Sequence, residues 1–477
     1  MYHKTIIQKI TCLSILGAQL SSCIYTKEYH PPSTASAAKT WETKDTHYQN
    51  AQANLPYLAW WEKFNDPTLN ELMTQGLIQN NQINTAMANI EAAHGELKRV
   101  QLNWIPTLST NFGYSSFPDL GFPGVLFAVI PSYTLNAFSQ IKEQKRAAYE
   151  LKASNAERDA VKLAVIGQIA TSYFTYSAQI EQLQLFRQLE ADLDRLVIIA
   201  QAAYHGGLTS QIDLEQAKRE LNVIKAQKRV TQHNINVSQH ALRYLLNENP
   251  QMIPLTKQFD QLNGNQIVIG ALPLNVIDNR PDMIQATNEL KASNEGIGVA
   301  FSNLLPSVQL SLARGSIGTT PNGYDFGQHI YFNQSLLQIP LLEPSVLGEI
   351  EKAKGLNKAS FYRYLDTLRK ILRDVNNDMS AHDFYTKRYD DTFSAKNNQQ
   401  RVYDLNKDLY NDGIISHMDL LTHKVALDSL LIQVNQAKLE QFLTIVNLYQ
   451  DLGGGYAANT GTLLSSPGTS RTNRGNK

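Results

Sequence analysis

Two short motifs place side chains capable of chemistry at a fixed spacing. Tyr204, Gly207, Ser210, Asp213 and Leu214 recur as Tyr410, Gly413, Ser416, Asp419 and Leu420, each 206 positions later (410 minus 204). A hydroxyl followed three residues later by a carboxylate is a helix-capping arrangement, with Ser210 and Asp213, or Ser416 and Asp419, starting the helix that follows. Patterns of catalysis are missing: the chain holds no Gly-x-Ser-x-Gly and no His-Glu-x-x-His. His417 and His423 stand six apart, the wrong spacing for a one-turn helical metal pair, and read as surface histidines. Gly453 to Gly455 lacks the Lys and Ser/Thr of a phosphate loop and reads as a turn. The residues therefore point away from an enzyme and from any metal or cofactor site.

One thiol has a chemical role of another kind. Lys4 and Lys9 lead into an apolar run, Ile10 to Ala18, too short to span a bilayer, which reads as a signal peptide over residues 1–22. Leu20-Ser21-Ser22-Cys23 resembles the lipobox of bacterial lipoproteins. That resemblance implies cleavage before Cys23 and acylation of its thiol and amine; Ile24 in place of Asp then implies sorting to the outer membrane. Cys12 leaves with the leader, so the mature chain holds one cysteine and no internal disulfide. The 43 basic and 43 acidic residues cancel, which gives no steering toward nucleic acid. After the leader no apolar stretch is long enough for a membrane helix, so a membrane span has to be built from strands.

The elements that position the motifs come in two similar halves. Asp66-Pro67 gives an acidic cap with proline at the first helical position, and a helical pattern runs on to Trp104 before Pro106. Pro281 opens a matching run that stops at Pro306, 200 positions after Pro106 (306 minus 106). The period then changes to alternation. Leu108, Thr110, Phe112 and Tyr114 oppose Ser109, Asn111, Gly113 and Ser115, and Val308, Leu310 and Leu312 oppose Gln309, Ser311 and Ala313. A turn (Pro118 to Gly124; Gly315 to Gly327) leads to a second strand near Val125–Leu135 and near His329–Ile339, so each half carries one hairpin and the chain about four strands.

Long helices follow. Ile169, Tyr173, Tyr176, Ile180 and Leu183, then Leu189, Leu193, Leu196, Ala200 and Ala203, step by fours and threes, as do Leu365, Leu368, Leu372, Val375 and Met379. A segment from about Ser139 to Tyr204 reaches roughly 90 to 100 Å, well beyond a bilayer. The Tyr-x-x-Gly motifs fall at the tips of two such hairpins. Four strands raise a physical problem: a sheet in lipid cannot leave an edge unpaired, and membrane barrels need about eight strands or more. Either several chains share one barrel, or the hairpins are small soluble elements packed on the helices.

Taken together, these residues resemble the TolC-like outer-membrane factors, in the lipoprotein branch typified by drug-efflux and nodulation channel proteins. The likeness is carried by Trp60-Trp61, Phe64, Asp66-Pro67 and Leu69; by Arg280-Pro281-Asp282, Ile297-Gly298-Val299-Ala300 and Leu305-Pro306-Ser307; by both tips; and by Leu452-Gly453-Gly454-Gly455-Tyr456. Asn279, Tyr456 and Asn136 depart from the usual Arg, Trp and Asp.

The resemblance implies a mainly α fold with a small β part. Long helical hairpins form a periplasmic α-barrel, and four strands per chain join a trimeric twelve-stranded transmembrane β-barrel. It implies an anchored segment over 23–59, repeats over 60–275 and 276–456, and a tail over 457–477 rich in Gly, Ser, Thr and Asn. The implied activity is passive conduction of exported solutes. The implied partners are two further copies of the chain, a periplasmic adaptor, an inner-membrane transporter and outer-membrane lipid.

By the same resemblance Asp419 occupies a constriction position, while Asp213 and Tyr410 match positions that latch one hairpin to the other. Thr422 stands where many relatives have a second acid, and Met418 is able to supply an apolar constriction instead. Gly207, Ser210, Gly413 and Ser416 mark the tips that would meet the adaptor. Capping and gating remain compatible roles for Asp213 and Asp419. Two alternatives stay open: a periplasm-spanning coiled-coil lipoprotein without conductance, and a duct for type I protein secretion.

Overall fold

A computed structural model of the chain describes residues 54–115, 124–264, 273–318 and 328–458. Cys23, the leader, both strand-to-strand turns and the tail from residue 459 lie outside the described residues. In chain order the elements are α1 (Pro67–Gln79), α2 (Asn81–Leu102), β1 (Thr107–Ser115), β2 (Gly124–Leu135), α3 (Ala137–His205) and α4 (Gln211–Leu245), followed by α5 (Pro273–Asn279), α6 (Pro281–Ser302), β3 (Ser307–Gly318), β4 (Gln328–Gln338), α7 (Pro344–Asn411) and α8 (His417–Asp451). The second half repeats the first. α3 and α7 are 69 and 68 residues long, and α4 and α8 are both 35. No helix among the described residues is long and apolar enough to cross a membrane.

The first helical run is interrupted, contrary to the sequence pattern. Asn80 is extended (φ −63°, ψ 127°) and separates α1 from α2. Its Oδ1 accepts the amides of Gln82 (2.9 Å) and Ile83 (3.3 Å), and its Nδ2 donates to the Leu245 carbonyl (2.8 Å). A short polar side chain thus ends one helix and caps the next. Arg280 breaks the second half at the matching place, since the residue before a proline is pushed out of the helical region.

The chain forms two compact units, each drawing on both halves. One contains Ala88–Ala156 and Asp282–Thr367. Its centre is a four-stranded antiparallel sheet of order β1-β2-β3-β4. The register sets Phe112 opposite Phe127, Tyr133 opposite Leu310 and Val308 opposite Leu337, so one face is largely apolar on β1 to β3, while on β4 it continues as Leu337, Ser335, Asn333 and Tyr331. The other carries Ser109, Asn111, Ser132, Gln309, Ser311, Gln334 and Gln338, with Ala128, Ile130, Phe332 and Leu336 among the apolar residues interspersed. Arg314 interrupts the apolar face between Val129 of β2 and Tyr331 of β4, and stacks its guanidinium 5.4 Å from the Tyr331 ring centre. In the same unit Lys142 donates to Glu295 (2.8 Å), and Gly298 leaves room for the lysine stem, because a Cβ there would lie 2.9 Å from Lys142 Cδ.

The second unit contains Glu157–Pro281, Leu368 onward and the segment ending at Met87. Its core buries Ile169, Tyr173 and Tyr176, then Leu189, Leu193, Leu196 and Ala200, as the spacing predicts. From α7 this unit buries Leu368, Ile371, Val375 and Met379, with Leu372 half-buried beside them; Leu365 is half-buried and Tyr364 buried on the part of α7 that belongs to the first unit. Hydrogen bonds and ion pairs link four helix segments in the order α4-α3-α8-α7. Ser238 donates to Gln179 (3.0 Å), Asn435 to Gln182 (2.9 Å), and Gln399 to the His423 carbonyl (3.3 Å). Trp60 stacks on Tyr449 at 5.0 Å and 4°. Gly455 (φ 97°) passes so close to Trp61 that a Cβ would lie 2.7 Å from the indole, which explains why the glycine turn and the tryptophan pair belong together.

Asp66 caps α1 from a fully buried position. Its Oδ1 accepts the Thr68 amide (3.0 Å) and the Thr256 hydroxyl (3.1 Å), and Tyr173 donates its phenol to Oδ2. Burial, then the bond to Asp66, pushes the Tyr173 phenol far above its ordinary range and keeps it a donor. Tyr173→Phe removes the donor and leaves a buried carboxylate oxygen short of a partner. The expected loss is about 1.5–3 kcal/mol of stability, read from denaturant unfolding.

Candidate functional site

The two hairpin tips are built alike. At the first, the Leu208 amide donates to the Ala203 carbonyl (2.8 Å) and the Gly207 amide to Tyr204 (3.0 Å); at the second, Ile414 donates to Leu409 (2.9 Å) and Gly413 to Tyr410 (3.0 Å). Gly207 (φ 69°) and Gly413 (φ 74°) take the left-handed conformation that ends each helix. Three residues later the chain starts the return helix with a capping box. Ser210 Oγ accepts the Asp213 amide (3.2 Å) while the Ser210 amide donates to Asp213 Oδ2 (3.2 Å); the Ser416 and Asp419 pair repeats this at 3.1 and 3.2 Å. Each serine hydroxyl also donates to its aspartate at 2.7 Å. Two orphan amides per tip are thereby satisfied, which makes the reversal rigid although it is exposed.

The tips differ in one partner. Thr209 donates to Asp213 at 2.9 Å, whereas Ile415 occupies that place at the second tip. The Ser210 hydroxyl, the Thr209 hydroxyl and the Ser210 amide together hold the Asp213 carboxyl below the usual range. Tyr410 lies against the His417 ring (5.3 Å between centres), and the hydrogen bonds described for Asp213 are to its own tip. The structure therefore does not join Tyr410 to Asp213 by a hydrogen bond among the described residues. Met418 is half-buried on the cluster of Leu193, Leu196 and Leu421. Asp419 and Thr422 are exposed on one side of the first turns of α8, with the Thr422 hydroxyl donating to the Met418 carbonyl (2.9 Å).

A charged cluster behind the tips escaped the sequence reading. Asp428 of α8 is 1% exposed and faces Asp192 of α3. Its Oδ1 accepts Gln188 (3.0 Å) and Lys424, while Oδ2 meets no donor. Lys424 also reaches Asp192 (3.7 Å), and Arg195 caps Asp192 from the rim (3.3 Å). The nearby lysines of α4 are engaged elsewhere, Lys225 with Asp194 and Lys228 with Glu190. Burial pushes the Asp428 carboxyl up to about 6, Lys424 opposing and Asp192 reinforcing the shift. Only the i, i+4 pair Lys424 and Asp428 is visible in the sequence; its partners on α3 lie more than two hundred positions away.

Paired long hairpins with a four-stranded sheet define a known architecture, that of outer-membrane channels. The fold matches the MtrE outer membrane channel of Neisseria gonorrhoeae with a TM-score of 0.78 at 22% identity, over 90% of this chain and 98% of that one. It matches the outer-membrane channel OprN with a TM-score of 0.77 at 18% identity, over 91% and 100%. The chain belongs to the outer membrane efflux protein family, whose pattern matches residues 72–248 and 272–454. Over 462 residues it is 24% identical to the solvent efflux pump outer membrane protein SrpC of Pseudomonas putida, covering 92% of this chain and 96% of that protein. It is 25% identical over 463 residues to nodulation protein T of Rhizobium leguminosarum bv. trifolii, covering 92% and 95%.

Two outcomes follow from the tip and the cluster. Ser416→Ala is expected to lose about 1 kcal/mol of stability by opening the capping box, measured by thermal unfolding. For Asp428 the folded state holds a proton that the unfolded state has already released between about pH 4 and pH 6, so this group's contribution falls as pH rises through that window. Asp428→Asn should flatten the unfolding midpoint against pH between 4 and 6.

Proposed function

We propose that this chain is the exit duct of a tripartite efflux system: three copies close one twelve-stranded barrel in the outer membrane, and their hairpins form a conduit in the periplasm. The observation that carries the reading is the sheet. It presents an apolar face and two edge strands, β1 and β4, each paired on one side only among the described residues. Lipid cannot satisfy the free amides and carbonyls of such an edge, so the edges must meet other copies. Head-to-tail contact of unlike edges closes a ring when the rotation allows it.

The helical unit supports the same reading. Its outer helices are α4 and α7, and α4 exposes Val223, Val230, Val237 and Tyr244 at intervals of seven. That is the seam of a helix awaiting another helix. Family membership supports conduction of exported solutes, with a periplasmic adaptor and an inner-membrane transporter supplying contact and energy. Cys23 would tether the chain by acylation. In the ring, Asp419 and Thr422 of three copies would face the narrow end as fixed charge and hydroxyl, and the tips bearing Gly207, Ser210, Gly413 and Ser416 would meet the adaptor. Tyr410 and Asp213 would reach each other only after one of them exchanges its present contact.

Purified in mild detergent, the protein should run as a heat-modifiable trimer and conduct ions after reconstitution into planar bilayers; a lone subunit without pore activity would overturn the proposal. Asp419→Asn, which keeps a capping oxygen, should lower cation over anion selectivity severalfold. Ser416→Ala should leave selectivity unchanged, which separates the gate role from the cap role.

A further inference from the structure

Where one copy's β4 joins the next copy's β1, the internal duplication fixes which residues meet. We propose that the closing seam pairs Leu341 of one copy with Leu108 of the next, and in the same register Ile339 with Thr110, Gln338 with Asn111, Leu337 with Phe112 and Ser335 with Tyr114. The proposal rests on the ring reading above and goes beyond it by assigning the register.

The derivation uses pairings within one chain. β1 and β3 both begin directly after a helix-closing proline, at Thr107 and Ser307, so they are equivalent at an offset of 200 (307 minus 107). Leu108 faces Pro131 in the first hairpin and Val308 faces Leu337 in the second. Pro131 and Leu337 are therefore equivalent at an offset of 206 (337 minus 131), the offset that also separates the two tips. β2 runs beyond its last partner on β1, Ser132 opposite Thr107, and its final residue Leu135 is held by Val308 of β3. Moving that contact forward by 206 on the β2 side and back by 200 on the β3 side gives Leu341 opposite Leu108.

Two further observations agree with this register. The strand residues it brings together share a face: Phe112 and Tyr114 meet Leu337 and Ser335 on the face of Phe127, and Asn111 meets Gln338 on the opposite one, an alternation that Ile339 and Leu341 would continue once paired with Thr110 and Leu108. A slip of one residue would set Phe112 beside Gln338 or Leu336 and mix the two faces. Moreover, β4 ends at Gln338, three residues short of the position equivalent to the end of β2. Those three residues, 339 to 341, match the part of β2 that is held only from its far side. In one copy that neighbour is not supplied, and the edges stand open: Phe112 is 76% and Leu341 92% exposed. Pro340 falls beside Ser109, at an end of the seam, where a missing amide is tolerated.

The test uses paired cysteines in the full-length protein in outer-membrane fractions. Neighbouring pairs in an antiparallel ladder alternate between wide and narrow, so both Asn111→Cys with Gln338→Cys and Phe112→Cys with Leu337→Cys are made. Oxidation with copper phenanthroline should link at least one of these pairs into covalent multimers on denaturing gels. Its yield should exceed tenfold that of the slipped pairs, Asn111→Cys with Leu336→Cys and Asn111→Cys with Pro340→Cys. Single-cysteine variants set the background from Cys23. Equal or greater linking in a slipped pair, or none in either in-register pair while size-exclusion chromatography shows an intact trimer, overturns the register and leaves the ring standing. Lone subunits on the same column overturn the ring reading itself.

Discussion

Everything in this architecture answers to the backbone of the edge strands. Each residue of β1 and β4 carries an amide and a carbonyl, and in hydrocarbon there is no water to receive them. A chain that contributes four strands therefore cannot be a membrane protein alone. On the proposed reading, the largely apolar face, the like length of the two halves and the open sides of the α4-α3-α8-α7 row answer one requirement, that identical neighbours would complete them.

Within the helical unit, polar groups are buried in two ways. Around Asp66 every partner is a donor: the Thr68 amide, the Thr256 hydroxyl and the Tyr173 phenol satisfy the carboxylate and fix the start of α1. Between α3 and α8 the balance is incomplete, with two carboxyls, one lysine and an oxygen of Asp428 without a donor. A second carboxyl, Asp378, is pushed up to about 8 by burial and by Asp451, although Arg280 opposes the shift. The first kind of arrangement fixes local geometry. The second leaves an Asp428 oxygen without a donor beside Asp192, and burial raises the Asp428 carboxyl.

How much of this was legible in the sequence depended on how local the cause was. The strands were legible because Leu108, Phe112, Leu310 and Leu312 alternate with small polar residues, and the tips because glycine, serine and aspartate act within ten residues of one another. The break at Asn80 was hidden, since an asparagine inside an otherwise helical pattern reveals its capping role only when Leu245 supplies the third bond. The Asp192 and Asp428 cluster was hidden because its members come from separate halves. At one departure from the family pattern, the Tyr456 hydroxyl donates to the backbone carbonyl of Asn279 at 2.9 Å, a bond across 177 positions that does not depend on the side chain at 279. Nothing in either residue alone indicated the other.

The unequal offsets have a consequence for the far end of the hairpins. Because β1 leads β3 by 200 and β2 leads β4 by 206, the second hairpin is six residues longer. β3 runs three residues past the position equivalent to the end of β1, β4 starts two residues before the position equivalent to the start of β2, and one more residue lies between them, whereas the helices that follow are matched to within one residue. The extra length thus lies mostly within the strands, while the paired helices keep a common length. In the proposed trimer the six tips would be built nearly alike. The two tips of a chain are not identical, since Gly206, Thr209, Gln211 and Ile212 of one stand where Asp412, Ile415, His417 and Met418 stand in the other, so tips around the proposed ring would alternate and keep threefold symmetry.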